Sequence, residues 1–242
     1  MNNNIVSDII SSYIDAFYQE QTEDLKELRA FAEERYVPII LKDTEELLRI
    51  LLALQKPTRI LEIGTAIGYS ACFFAETCQA HITTIERDPD YFRTAVSNLS
   101  QLGHEGQVDV LFGEASEVLQ KLAESTNTNE EGFDFIFIDA SKSHYREFWD
   151  LCVPLCADDG LIVCDNVLIR GLTAIKPEEA EHKHRTSIRN MRDFLQFVKE
   201  LSYADTCILT VGDGISISRI DREAYLEEKE EGVTETRKDQ IC

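Results

Sequence analysis

Arg59-Ile60-Leu61-Glu62-Ile63-Gly64-Thr65-Ala66-Ile67-Gly68-Tyr69-Ser70 is the stretch that decides the fold. Ile60, Leu61 and Ile63 form a short apolar run of the kind found in strands buried on both faces. Gly64 and Gly68 allow a tight bend and a close backbone approach to a ligand. Ala71, Phe73, Phe74 and Ala75 then open a helix whose free N–H groups face that ligand. Strand, glycine bend and helix together predict the first unit of a doubly wound α/β sheet.

The bend departs from the dinucleotide pattern G-x-G-x-x-G. Ala66 occupies the place of the middle glycine, which admits a pyrophosphate. The pattern is Glu62-x-Gly64-x-x-x-Gly68, and a ligand without a pyrophosphate fits it better. S-adenosylmethionine is one such ligand; a tight turn that binds nothing is the other reading.

The next strand, His81-Ile82-Thr83-Thr84-Ile85-Glu86, ends in an acid 22 positions beyond Gly64. That is about the spacing at which such folds place a carboxylate on a ribose. Asp88 and Pro89 read as a helix N-cap and first residue, and Gly103 as that helix's stop. A third strand, 108–112, leads into Gly113-Glu114-Ala115-Ser116, placed either beside an adenine or as an ordinary turn. The polar stretch 125–132 reads as a loop.

Two further strands end in oxygen donors. Phe133–Ala140 is almost wholly apolar until Asp139, and Leu161–Asn166 closes on Asp165 and Asn166. The carboxyl edge of an open α/β sheet is where ligands bind. Two carboxylates and an amide suit a hard divalent cation; capping of the next loop is the alternative. Asp158-Asp159-Gly160 reads as a turn, and residues 206–220 as an antiparallel hairpin around Gly212-Asp213-Gly214.

Three helices are expected ahead of the sheet. Apolar spacing predicts one over 5–18, a second after Thr22, and a third opened by a capping box of Asp43 and Glu46. They could cover the site, cover the sheet or pair with another subunit. Residues 1–222 are expected to form one domain, with 1–56 as its helical cover and 223–242 as a charged, flexible tail. A last long helix is expected over 178–201, with Lys183, Arg185, Arg189 and Arg192 at its start and Arg170 in the loop before it.

The chain has 242 residues, 43% of them hydrophobic, and a net charge of −21. That charge repels nucleic acid and acidic membranes at long range, so an RNA partner needs a local basic face. No apolar run is long enough for a bilayer, and the N-terminus lacks a signal-peptide layout. Seven cysteines without a C-x-x-C pair imply buried, reduced thiols in a cytoplasmic protein, with Cys152 and Cys156 on one helix face.

Leu61–Ser70, Thr84-Ile85-Glu86, Phe137–Lys142, Asp165-Asn166 and Val211–Gly214 together resemble the metal-dependent class I O-methyltransferases related to caffeoyl-CoA and catechol methyltransferases. Val37-Pro38-Ile39, Asp165–Leu168 with Gly171-Leu172, and the basic helix start are most similar to the branch that methylates 5-hydroxyuridine at the tRNA wobble position. The resemblance spans about residues 5–220. It implies a Rossmann-like seven-stranded, mostly parallel sheet with an antiparallel last strand, helices on both faces, and a homodimer. It places Ile40, Glu62, Gly64, Gly68, Ser70, Glu86, Glu114, Ala115 and Asp139 around S-adenosylmethionine. It further implies Mg2+ on Asp139, Asp165 and Asn166, and Lys142 as the general base, its pKa lowered by the cation. The substrate would be the tRNA anticodon loop, with Arg170, Lys183, Arg185, Arg189 and Arg192 on its phosphates, or a small molecule of the catechol or caffeoyl-CoA type. An NAD-linked oxidoreductase is disfavoured by Ala66 and the Asp165-Asn166 pair. A catalytically silent binding module is disfavoured by the complete donor set.

Overall fold

The computed structural model describes residues 7–19, 22–125 and 132–239. In chain order the elements are α1 (Asp8–Asp15), α2 (Glu23–Glu34), α3 (Lys42–Gln55), β1 (Arg59–Ile63), α4 (Tyr69–Thr77), β2 (His81–Glu86), α5 (Pro89–Gln101), β3 (Val108–Phe112), α6 (Ala115–Ser125), β4 (Phe133–Ile138), α7 (Tyr145–Cys152), β5 (Cys156–Cys164), α8 (Arg185–Glu200), β6 (Ala204–Leu209), β7 (Ile215–Ile220) and α9 (Arg222–Asp239). The seven strands lie in the order β3-β2-β1-β4-β5-β7-β6. Pairings from β3 through β5 are parallel, and β7 runs antiparallel to both β5 and β6. This is the Rossmann-like architecture expected from the sequence.

Alternation along the strands divides the interior into two layers. Leu61 and Ile63 of β1 share one face with Ile136, Ile138, Ile162 and Cys164, against Tyr145, Trp149 and Phe194 of α7 and α8. Ile60 points the other way with Phe135, Phe137 and Val163, against Phe73 and Phe74 of α4. The Phe74 ring meets those of Phe135 and Phe137 edge-on, at 6.2 and 5.7 Å between centroids. Leu25, Leu28, Leu48 and Leu52 belong to this second layer. Helices α2 and α3 therefore complete a face of the sheet.

Several local expectations are corrected. Helix α1 stops at Asp15, and Ile9, Tyr13 and Phe17 are exposed, so its stripe faces no core. Residue 5 and the 126–131 part of the polar stretch lie outside the described residues. The Asp43–Glu46 capping box does not form: α3 is entered from Leu41, and Asp43 instead accepts the Gly212 N–H at 2.7 Å. Cys152 ends α7 while Cys156 opens β5, so they share no helix face. The last long helix begins only at Arg185, after short 3-10 turns at Pro177–Glu179 and His182–His184. The segment from 223 onward lies in α9 as far as Asp239, with Tyr225 buried against Tyr203.

Gly64 fixes how closely β1 approaches β4. Its φ is +102°, and a Cβ there would overlap the carbonyl oxygen of Asp139. Gly103 has φ +77° but open space around it. Gly64→Ala is expected to cost about 3 kcal/mol or more, because backbone must move. Gly103→Ala should cost about 1–2 kcal/mol, the left-handed strain alone. Urea unfolding of both variants tests this, and equal losses would contradict it.

Candidate active site

The crevice lies where the chain reverses direction across the sheet, between β1 and β4. Just beyond the strand ends, the Asp139 N–H donates to the Ile63 carbonyl and the Asp165 N–H to the Ile138 carbonyl, both at 3.0 Å. These steps set Gly64, Asp139 and Asp165 along one carboxyl edge. Gly64 lies directly beneath the Asp139 carbonyl and Gly68 packs against Ala95 of α5.

The bend itself is organised by Glu86. One carboxylate oxygen accepts the Ala66 N–H at 2.8 Å, and the other accepts those of Arg87 and Asp88, each at 2.8 Å. Ala66 takes φ +46°, a left-handed conformation this bond helps to hold. The Gly113 N–H donates to the Glu86 carbonyl, which brings the turn before α6 alongside. Glu114 on that turn is exposed, 3.6 Å from Arg87, and Ala115 is the first residue of α6.

Glu62 is fully buried on β1. Its Oε2 accepts the Thr84 hydroxyl at 2.5 Å, while Oε1 has no partner among the described residues. Burial pushes its pKa up to about 7; the Ser70 and Thr84 hydroxyls pull it back, and Asp139 and Glu86 repel it. A buried acid with one free oxygen beside the bend can receive an ammonium group.

At the other end stand Asp139, Asp165, Asn166 and Lys142. Burial and then repulsion from Asp139 push Asp165 up to about 8, against the Asn166 N–H that donates to its Oδ1 at 2.6 Å. Burial likewise raises Asp139; Lys142 opposes the rise and Asp213 adds to it. The Lys142 ammonium donates to Asn166 Oδ1 at 2.7 Å. The Tyr145 hydroxyl, from the other core layer, donates to the Asp165 carbonyl at 2.6 Å. Among the described residues no three His, Cys, Asp or Glu side chains gather as a metal site. The donor set that fits a hard cation is a buried carboxylate, Asp165, a half-buried one, Asp139, and one amide oxygen, which leaves further positions to water or substrate. The loop beyond is tightly wound, with Asn166, Ile169, Arg170 and Gly171 all at positive φ. It is held by N–H bonds from Val167 and Leu168 to the carbonyls of Gly214 and Asp213.

The remaining residues singled out by the sequence divide. Ile40 is buried in the second core layer, and its carbonyl accepts from Arg29. Most of the basic residues are engaged within the chain. Arg185 donates to the carbonyls of Ala180 and Glu178, and Arg192 to those of Thr173 and Ile175. Lys183 lies 3.1 Å from Glu181, and Arg170 lies 3.5 Å from Asp213. Arg189 is exposed. Thr84, Tyr145 and Asp213 escaped sequence reasoning; the only signal was their place at or near strand ends.

An O-methyltransferase family model matches residues 15–220. The caffeoyl-CoA O-methyltransferase of Eucalyptus gunnii is 29% identical over 223 residues, covering 88% of each chain. That of Populus kitakamiensis is 27% identical, over 88% of this chain and 94% of its own. Among solved structures, a candidate caffeoyl-CoA O-methyltransferase from Staphylococcus aureus is 32% identical, with a TM-score of 0.80 over 88% of this chain and all (100%) of its own. A methyltransferase of Podospora anserina, solved with S-adenosylhomocysteine (SAH) bound, is 26% identical, with a TM-score of 0.77 over 88% of this chain and 94% of its own.

The Glu62 pKa of about 7 against an ordinary 4.5 has a stability consequence. The folded state binds more protons than the unfolded one between those values, so stability falls as pH rises through that window. Glu62→Gln removes the titration. Without ligand, the variant should match the wild type near pH 4 and exceed it by about 2–3 kcal/mol at pH 8. Denaturant unfolding across pH checks this; a gap independent of pH would contradict it.

Proposed function

This chain belongs to the O-methyltransferase family, and on that premise we propose that it methylates one of two adjacent oxygens on its substrate, using S-adenosylmethionine and a divalent cation held by Asp139, Asp165 and Asn166. The observation that carries this reading is the half-buried Asp139 and buried Asp165 at neighbouring strand ends beside the glycine bend, close enough that Asp139 repels Asp165. In this reading Glu62 Oε1 takes the methionine ammonium, Glu86 the ribose hydroxyls, and the turn at Glu114-Ala115 the adenine. The same reading puts Ile40 and Ser70 beside the cofactor.

A bound Mg2+ would lower the pKa of a substrate hydroxyl and hold both oxygens in line with the sulfonium methyl. As the neutral amine, Lys142 would receive the hydroxyl proton at Nζ. Its present bond to Asn166 Oδ1 keeps it within reach of that oxygen. The Tyr145 bond to the Asp165 carbonyl fixes the strand end from behind.

The proposed substrate is a small molecule bearing vicinal oxygens, of the catechol or caffeoyl-CoA type, in line with the curated relatives. The internal bonds of Arg185 and Arg192 support it, since they take up guanidinium groups that an RNA backbone would need. A second reading, 5-hydroxyuridine in a tRNA anticodon loop, keeps the same O4 and O5 chelating geometry. It is favoured by Arg170, Lys183 and Arg189, which are exposed on the segment after Asp165-Asn166 in a chain of net charge −21. A homodimer belongs to the proposal as well; the exposed Ile9 and Tyr13 of α1, with Phe17 just beyond it, offer an apolar face to a second copy. Among the described residues no helix is long and apolar enough to cross a membrane.

Purified protein with S-adenosylmethionine and Mg2+ should methylate caffeoyl-CoA or a catechol, read by mass spectrometry. Asp139→Asn, Asp165→Asn and excess EDTA should each abolish turnover; full activity in EDTA would remove the cation from the mechanism. Methylation of 5-hydroxyuridine in hypomodified tRNA, with none on the small molecules, would decide for the second reading. In that case Arg170→Glu with Arg189→Glu should reduce it.

A further inference from the structure

A buried polar cluster joins the N-terminal helices to the start of α4. Arg29 of α2 is 4% exposed, Glu45 of α3 2%, and Tyr69 of α4 1%. The Arg29 guanidinium divides its donors among three segments. Nε donates to the Tyr69 hydroxyl at 3.1 Å, Nη1 to the Ile40 carbonyl at 3.2 Å, and Nη2 to Glu45 Oε2 at 2.5 Å. The Tyr69 hydroxyl in turn donates to Glu45 Oε2 at 2.7 Å, and the Tyr18 hydroxyl to Oε1 at 2.7 Å. The guanidinium also lies over the Tyr69 ring, 4.6 Å from its centroid.

Such a cluster is a poor device for stability alone. Apolar side chains of similar volume would fill the space at equal or lower cost, since two charges must be stripped of water. Its members do specify position. Tyr69 directly precedes Ser70, and the Arg29 bond to Ile40 fixes the backbone of the loop between α2 and α3. Ser70 and Ile40 are the walls that the proposed cofactor site needs, and they come from segments 30 positions apart.

We propose that Arg29, Glu45 and Tyr69 are positioning residues for the cofactor, locking the Ile40 loop and the Tyr69-Ser70 helix start into one preformed wall. The inference rests on the cofactor reading above. It extends that reading to helices α2 and α3, whose order becomes coupled to occupancy of the site. Tyr69→Phe is the cleanest probe, because it removes one hydroxyl and leaves the ring over Arg29.

The full-length protein is titrated with SAH by calorimetry at a temperature well below unfolding. Wild type should bind, and Tyr69→Phe should bind about tenfold more weakly while its circular dichroism spectrum is unchanged. Hydrogen exchange on the wild type supplies a measurement that needs no variant. Adding SAH should slow amide exchange in α2 and the first turn of α3, as well as at the glycine bend. A folded Tyr69→Phe protein with wild-type affinity overturns the proposal, as does protection confined to the bend. Wild type that fails to bind SAH removes the cofactor reading, and this inference with it; the first two outcomes leave that reading intact.

Discussion

The contact between Gly64 and the carbonyl of Asp139 is the constraint on which the rest depends. It joins the ends of the two central strands at the point where the chain reverses direction. A side chain at position 64 would push β4 away from β1. The Asp139 N–H would then lose the Ile63 carbonyl, and the step that carries Asp165 onto the same edge would shift with it. Closeness also makes the chemistry. Glu62 feels the charge of Asp139, and Asp165 that of Asp139, only because their strands are neighbours in tight register.

The resulting edge is electrostatically expensive. Glu62, Asp139 and Asp165 are acids held where burial opposes their charge. Lys142 offsets part of this at one end, while one Glu62 oxygen stays without a partner. A chain optimised only for stability would place amides or apolar groups there. The rest of the sheet supports the cost through two apolar layers that lock the strands from both faces, with Trp149, Phe135 and Phe137 among the largest fully buried side chains.

How much of this was legible follows from the range of each interaction. The strands could be read because apolar runs report burial locally, and Asp139, Asp165 and Glu86 stood out because each ends such a run. The Asp88-Pro89 cap was readable for the same reason: its hydroxyl-free carboxylate bonds lie within three residues. The glycines could be located but not explained, since Gly64 answers to a carbonyl 75 positions away. Arg29, Glu45 and Tyr69 were silent. Each falls where a helix would place an ordinary surface or packing residue, and only the fold brings them together. The excess of positive charge near 183–192 was legible, but the bonds that Arg185 and Arg192 make to backbone carbonyls of the preceding segment were not, since they depend on how that segment winds.

The first turn of α3 ties these long-range contacts into one device. Asp43 accepts the Gly212 N–H, and the hairpin loop that carries Gly212 supplies the Asp213 and Gly214 carbonyls holding Val167 and Leu168. Those residues follow directly on Asp165 and Asn166. Two positions after Asp43, Glu45 anchors Arg29 and Tyr69, and through them the other wall of the crevice. Asp43 was read from the sequence as part of a helix cap, a role that would have ended its influence within one turn. Its actual bond spans 169 positions. One helical turn thus sets the loop after Asp165-Asn166 with one carboxylate and the start of α4 with the next.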